Sequence, residues 1–93
     1  MAEPVQSQQS VRIPNKYGLH ARPAAEFVKL AGRFRADVLV SKEDMEVNGK
    51  SIMGMMMLAA ECGSTITIRA AGEDAQDAVA DLVGLVERGF GEE

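Results

Sequence analysis

Two segments with apolar residues at helical spacing constrain the fold of this 93-residue chain more than any other feature. The first begins just after His20 and runs to about Arg33, and the second begins after Asp74. Apolar residues that recur every three or four positions are typical of a helix with one buried face. These positions are Ala24, Phe27, Val28 and Ala31 in the first segment and Ala75, Ala78, Val79, Leu82, Val83 and Val86 in the second. The chain is therefore expected to contain two long amphipathic helices.

Short segments of alternating or β-branched residues surround these helices and predict four strands, at 11–13, 36–42, 45–47 and 65–70. A short helix is predicted at 51–58, with Ser51 as its N-cap. The predicted order is therefore β-α-β-β-α-β-α. This order indicates an α+β fold, an open-faced β-sandwich in which three helices cover one side of a four-stranded antiparallel sheet.

The size and composition predict one small domain without a membrane segment. Residues 1–9 are polar and are predicted to be a flexible tail, 10–88 the domain, and 89–93 a frayed C-terminal tail. The N-terminus lacks the features of a signal peptide, and the longest apolar run, 52–60, is too short to span a bilayer. We therefore expect a cytoplasmic protein with no membrane insertion, and a monomer.

Charge and residue usage exclude several kinds of site. The net charge of −4 and the 4% aromatic content argue against nucleic-acid binding. A single Cys and a single His exclude an internal disulfide and a His/Cys zinc cluster, so no metal or other cofactor is expected. Residues 10–35 carry six basic residues and one acidic residue, although the whole chain is acidic. This asymmetry indicates an anion site or an acidic partner, or else only a solvated helix face.

His20 is the residue whose position suggests chemistry. The predicted helix begins beside it, and the N–H groups and partial positive charge of a helix N-terminus favour a phosphate. Arg22, two residues later, could add charge-assisted hydrogen bonds. A neutral imidazole in this place can attack a phosphoryl group and later pass it on. The alternative from spacing alone is a capping or merely exposed histidine.

The string Gly18-Leu19-His20-Ala21-Arg22-Pro23-Ala24-Ala25 resembles the active-site signature of HPr, the histidine phosphocarrier of the bacterial phosphoenolpyruvate:sugar phosphotransferase system. The resemblance extends over about residues 10–88. It implies that His20 accepts a phosphoryl group on Nδ1 from phosphorylated enzyme I and passes it to enzyme IIA domains. It also implies that Arg22 is the active-site arginine, and that the protein is a carrier with a phosphohistidine intermediate rather than an enzyme with its own turnover.

A second segment, Asn48-Gly49-Lys50-Ser51-Ile52-Met53-Gly54, resembles the regulatory-serine motif of the same family. The resemblance implies that HPr kinase/phosphorylase phosphorylates Ser51, and that a transcriptional regulator is a further possible partner. Phosphate at a helix N-cap adds a charge of about −2 where the helix dipole favours it, so its effect should fall on partner docking. The alternative is a plain N-cap serine.

The methionines of the short helix suggest a docking surface. Met55 and Leu58 are expected in the core, whereas Ile52, Met53 and Met56 share a face that the resemblance places beside the histidine. The predicted partner-docking residues are Ala21, Pro23, Lys29, Lys50, Ile52, Met53 and Met56. Met57 could widen this surface or fill a gap, and Cys62 is expected to be inert.

Two alternatives to the carrier remain open. One is a mainly regulatory HPr-like or nitrogen-branch protein whose phosphorylation state controls partner binding; His20 argues against a form that has lost transfer. The other is a small phosphatase, which would need a group that positions water beside an arginine. The sequence shows no convincing residue for that role.

Overall fold

The fold is built on a four-stranded antiparallel sheet with the strand order β1-β4-β2-β3. In this computed structural model, which describes residues 5–91, the strands are β1 (Gln6–Arg12), β2 (Asp37–Lys42), β3 (Met45–Asn48) and β4 (Thr65–Ala71). The helices are α1 (Ala21–Ala31), α2 (Ile52–Met57) and α3 (Ala75–Glu87), followed by a 3₁₀ turn at Gly89–Gly91. The predicted α+β order and the antiparallel open sheet are confirmed.

Alternation along the strands separates a buried face of the sheet from an open one. Ile66 and Ile68 in β4 are fully buried, whereas Arg69 is exposed. Successive strand residues point to opposite faces, which explains this pattern. On the open face, Arg69 pairs with Glu46 at 2.9 Å between Nη2 and Oε2. The open face is therefore polar, and the helices cover the other.

The core lies between the sheet and the helices. Phe27 of α1, Met55 of α2 and Leu82 of α3 are all fully buried. Nine of the ten apolar positions predicted for the two long helices are buried, and the tenth, Val28, is half-buried. Among residues 5–91, no helix combines the length and the apolar character needed to cross a membrane.

The structure corrects the predicted tails at both ends of the chain. Gln6–Gln9 belong to β1 and pair with β4 from Gln6 opposite Ala71 to Gln9 opposite Ile68. Main-chain hydrogen bonds hold this segment in the sheet, and few of its side chains are buried. The segment therefore lacks the alternating apolar residues by which a strand is predicted. At the other end, Phe90 is buried in the 3₁₀ turn instead of fraying. The remaining tail residues, 1–4 and 92–93, lie outside the described residues.

Asp74, at the N-cap of α3, joins that helix to the start of β2. Its side chain does not cap its own helix. Its two carboxylate oxygens instead accept hydrogen bonds from the backbone N–H groups of Arg35 and Ala36, both at 2.8 Å. The hydrogen bond from Arg35, followed by that from Ala36, holds the pKa of Asp74 below its ordinary value, although partial desolvation opposes the shift.

Candidate functional site

His20 is the N-cap residue of α1, and its side chain is exposed. The backbone is extended there, and the His20 carbonyl accepts the first helical hydrogen bond, from Ala24 N–H at 3.0 Å. The imidazole itself makes no capping hydrogen bond to the helix. The helix offers no internal partner to the N–H groups of Ala21 and Arg22, since these belong to its first turn. An exposed imidazole therefore lies beside backbone donors at the positive end of a helix.

Hydrogen bonds hold the loop that precedes His20 in place. The Asn15 side-chain amide donates to the Gly18 carbonyl at 2.7 Å, and Leu19 N–H donates to the Ala60 carbonyl at 2.8 Å. Gly18 has a φ of +68°, and a Cβ on it would lie only 2.5 Å from the Ala60 oxygen. Only glycine fits this close approach in a left-handed conformation. These contacts fix the loop against the segment that follows α2, so His20 starts from a defined position.

A surface depression of about 580 Å³ opens in front of His20. Tyr17 forms part of its wall and stands against the imidazole, with 6.3 Å between the ring centroids and 81° between the ring planes. The Lys16 ammonium lies 5.4 Å from the centroid of the Tyr17 ring. The full lining comprises Lys16, Tyr17, Leu19, His20, Ala59, Ala60, Glu61 and Cys62.

Lys16 and Tyr17 were missed as site residues in the sequence. Their closeness to His20 in the chain is the signal that could have indicated them. The opposite wall, residues 59–62, lies some forty positions away and carries no local signal.

Arg22 is exposed in the first turn of α1 but does not line the His20 depression. It borders a separate cavity of about 290 Å³, together with Glu26, Phe90 and Gly91. The 3₁₀ turn at the C-terminal end thus supplies part of the surroundings of Arg22. The role of Arg22 in phosphoryl transfer stays a prediction.

Ser51 is the N-cap residue of α2, as predicted, and its Oγ accepts a hydrogen bond from Gly54 N–H at 3.0 Å. Gly54 is packed closely at this point. A Cβ on it would lie 3.3 Å from the Asn48 carbonyl oxygen and 3.4 Å from Ser51 Oγ. A side chain at this position would therefore require its neighbours to shift by a few tenths of an ångström. The half-buried Ser51 hydroxyl takes part in local structure before any modification.

Four apolar side chains of α2 are exposed and form what we call the α2 patch: Ile52, Met53, Met56 and Met57, at 44%, 75%, 44% and 64% exposure. Met55 and Leu58 are buried, as the sequence predicted. Met57 widens the patch and fills no core gap. An exposed group of flexible apolar side chains is typical of a surface that binds a partner.

The other predicted docking residues differ in accessibility. Ala21 and Lys29 are exposed. Pro23 is fully buried, so the expectation that it contacts a partner is wrong; it lies in the first helical turn, where a missing N–H costs nothing. Lys50 is half-buried, and its ammonium donates to the Phe34 carbonyl at 2.7 Å, which gives it a structural contact.

The described residues contain no group of three or more His, Cys, Asp or Glu side chains that could hold a metal. Cys62 is exposed, and its Sγ lies 3.7 Å from the Pro14 carbonyl oxygen.

The comparisons with known proteins agree with this geometry. Residues 7–88 match the family model PTS-HPr, described as the PTS HPr component phosphorylation site. The phosphocarrier protein HPr of Neisseria meningitidis is 47% identical over 85 residues, which cover 91% of this chain and 96% of that protein.

Two solved structures share the fold. HPr from Thermoanaerobacter tengcongensis has a TM-score of 0.89 at 45% identity and covers 94% of this chain and 98% of its own. Crh, a catabolite-repression protein of Bacillus subtilis solved as a swapped dimer, has a TM-score of 0.73 at 47% identity, with 89% of this chain and 95% of its own covered. With a family match over nearly the whole domain and an exposed histidine at the N-terminus of α1, this chain belongs to the HPr family of phosphocarrier proteins of the phosphotransferase system.

Proposed function

We propose that His20 accepts a phosphoryl group from phosphorylated enzyme I and passes it to enzyme IIA domains of the sugar phosphotransferase system. The observation that carries this proposal is the exposed imidazole at the N-cap of α1, which makes no capping bond to its own helix. Family membership supports a carrier over a small phosphatase. The protein is then a substrate of its partners, working in the cytoplasm, and has no turnover of its own.

The transfer step needs little from the carrier beyond placement and charge. An imidazole nitrogen, Nδ1 by resemblance to the family, forms a bond to phosphorus while the bond between phosphorus and the donor breaks. The donor leaves with that electron pair. The N–H groups of Ala21 and Arg22 and the helix dipole favour the anionic product on His20. Transfer to enzyme IIA reverses these roles, since phosphohistidine is then the donor.

Partner docking is assigned to the surface around this histidine. The α2 patch gives adaptable apolar contact to unrelated partners. Lys29 and Arg22 are exposed and can meet acidic groups of a partner. Arg22 is proposed to stabilise the phosphoryl group in transit through its guanidinium.

Phosphorylation of Ser51 by an HPr kinase/phosphorylase is proposed as the regulatory event. Ser51 lies directly before the α2 patch, so a phosphate there places negative charge beside apolar contacts intended for a partner. Docking of enzyme I should weaken, while α2 keeps an acceptor at its N-cap. The resemblance to Crh supports a second candidate, a mainly regulatory protein whose phosphorylated serine is bound by a transcriptional regulator.

Mass spectrometry after two separate incubations tests both assignments. Phosphoenolpyruvate with enzyme I should add one acid-labile phosphate at His20, and ATP with an HPr kinase should add one acid-stable phosphate at Ser51. Transfer of the first phosphate to an enzyme IIA domain completes the test. A protein labelled only at Ser51 would be the regulatory candidate. Release of phosphate from acyl phosphate with turnover would instead indicate the phosphatase.

The oligomeric state is tested separately, because Crh was solved as a swapped dimer. We expect this protein to be a monomer when it accepts the phosphoryl group. Light scattering on the unmodified and the phosphorylated protein checks this expectation.

A further inference from the structure

Tyr17 is an exposed aromatic residue with a defined contact on the imidazole. Its side chain is 74% exposed, yet its ring lies 6.3 Å from the His20 ring at an angle of 81°. Rings at this separation and angle attract each other edge to face. The loop that carries both residues is fixed by the hydrogen bonds of Asn15 and Leu19. The contact therefore restricts the orientations that the imidazole can adopt at the mouth of the depression.

The same ring holds a cation. The Lys16 Nζ lies 5.4 Å from the Tyr17 centroid, within the range of a cation–π contact. An exposed lysine otherwise samples many rotamers, and the contact with Tyr17 reduces that freedom. The Tyr17 ring therefore contacts both groups, and Lys16 and His20 line the same depression.

The charged residues that line the depression also indicate a role for Lys16. Of the residues that line it, Lys16 and Glu61 carry fixed charges, while Arg22 borders a different cavity. A phosphoryl group on His20 brings a charge of about −2 into this space. Lys16 is then the lining residue whose permanent positive charge can attract the phosphoryl group.

We propose that Tyr17 is a positioning residue for phosphoryl transfer at His20, and that Lys16 supplies the positive charge that meets the phosphoryl group at the mouth of the depression. This inference rests on the proposed function of His20 and adds two residues to it. The bond that forms joins phosphorus to the imidazole nitrogen, and the bond that breaks joins phosphorus to the donor. Lys16 takes up no proton and releases none in this step; it acts through its charge.

Two phosphoryl donors separate local chemistry from docking. Phosphorylated enzyme I must dock, whereas phosphoramidate is a small donor that needs no protein surface. The rate of acid-labile phosphate formation on His20 is measured with each donor. Lys16→Gln should slow both reactions about fivefold, and Lys16→Arg should restore most of the loss. Lys42→Gln, which removes the same charge in the β2–β3 hairpin, should change either rate less than about twofold.

A loss with enzyme I alone would overturn the role of Lys16 toward the phosphoryl group, since Lys16 would then contact the partner instead. Equal rates for Lys16→Gln and Lys42→Gln would overturn it as well.

The role of Tyr17 is tested with one variant that keeps an aromatic ring and one that removes it. Tyr17→Phe keeps the aromatic contact and should keep both rates within about twofold, whereas Tyr17→Ala should slow both about fivefold. In the enzyme I reaction, with this protein as the substrate, the loss should appear in kcat more than in KM. Imidazole proton chemical shifts report the contact directly. They should move in Tyr17→Ala, which removes the ring, and stay near the wild-type values in Tyr17→Phe. Unchanged rates in Tyr17→Ala, or slowed rates without a change in these shifts, would overturn the positioning role.

The two donors also separate this inference from the proposed function. If phosphoramidate labels His20 but enzyme I does not, the proposed function fails, and the phosphoramidate rates still decide the inference. If both donors label His20 and the variants match the wild type, only the inference fails. If neither donor labels His20, both fail.

Discussion

The N-terminal ends of α1 and α2 present the same backbone problem and solve it differently. At α2, the Ser51 hydroxyl accepts a hydrogen bond from its own helix and is half-buried. At α1, the His20 imidazole makes no such bond and is exposed. A helix N-terminus always leaves donors without a helical partner. The N-cap side chain of the first helix therefore leaves the helix donors uncapped, whereas that of the second satisfies one of them.

The third helix shows another use of the same position. Asp74 is the N-cap of α3, but its carboxylate binds the backbone before β2 instead of its own helix. The N-cap residue thus performs a different task in each helix, and at His20 the side chain faces a depression open to solvent. Substitutions at these caps should separate chemistry, docking and stability.

The largest expected effect is on chemistry. His20→Ala should abolish phosphate uptake from phosphoenolpyruvate and enzyme I, because no other described side chain is an imidazole. The variant should keep the fold, since no capping bond of α1 is lost. Radiolabel incorporation and urea unfolding check the two expectations. Full labelling of the variant would show that His20 is not the acceptor.

Ser51→Asp should weaken the docking of enzyme I about tenfold by placing charge beside the α2 patch. Ser51→Asn is the matched control, since both side chains cap helices well and only one is charged. Titration calorimetry with enzyme I gives the affinities. Equal binding of the two variants would remove the electrostatic explanation of regulation.

Ser51→Ala tests how much the Ser51 cap contributes to the free energy of unfolding. Loss of the hydrogen bond from Gly54 N–H should cost about 1 kcal/mol of unfolding free energy, while Ser51→Asn should retain most of it. His20 should still be labelled in Ser51→Ala. If Ser51→Ala unfolds at the same urea concentration as the wild type, the Ser51 cap has no energetic weight.

Asp74 adds a dependence on pH. Its folded-state pKa is lowered, so its carboxylate stabilises the fold above the unfolded value near pH 4, and this contribution is lost as pH falls through the lowered folded value. Asp74→Ala should therefore lower Tm by a few degrees at pH 7, and the gap to wild type should narrow below about pH 4. Thermal unfolding at several pH values checks this, with Asp81→Ala as a control for removal of a carboxylate from α3. A gap that stays constant down to pH 2 would contradict the role of the two backbone hydrogen bonds.

The parts of the fold that the sequence predicts well are those whose signals are local. The helical faces and the Ser51 cap each depend on residues within a few positions of one another. The first half of β1 was missed because Gln6–Gln9 are held by main-chain pairing with β4, which leaves no trace in side-chain character. Phe90 was missed because a lone apolar residue between glycines shows no periodicity.

The candidate site also has one part that local sequence predicts and another that it does not. His20 could be predicted, because its helix and its motif lie in one segment. The depression could not, since its far wall comes from the residues after α2. Arg22 lies two residues after His20 in the sequence, yet it borders a different cavity together with Phe90 of the C-terminal turn. Contacts between distant segments decide which side chains share a cavity.

The smallest predicted effect concerns that far wall. Ala59 follows the C-cap of α2 and has a φ of +50°, in the left-handed region that disfavours residues with a Cβ. Ala59→Gly should therefore raise the unfolding free energy by up to about 1 kcal/mol, the relief of strain being partly offset by the greater freedom of glycine in the unfolded chain. Ala80→Gly, at an exposed position within α3, should instead lower it by about 1 kcal/mol. If both variants are destabilised equally, the backbone at Ala59 is not strained. The wall of the depression opposite His20 then contains no strained residue at the C-terminal end of α2.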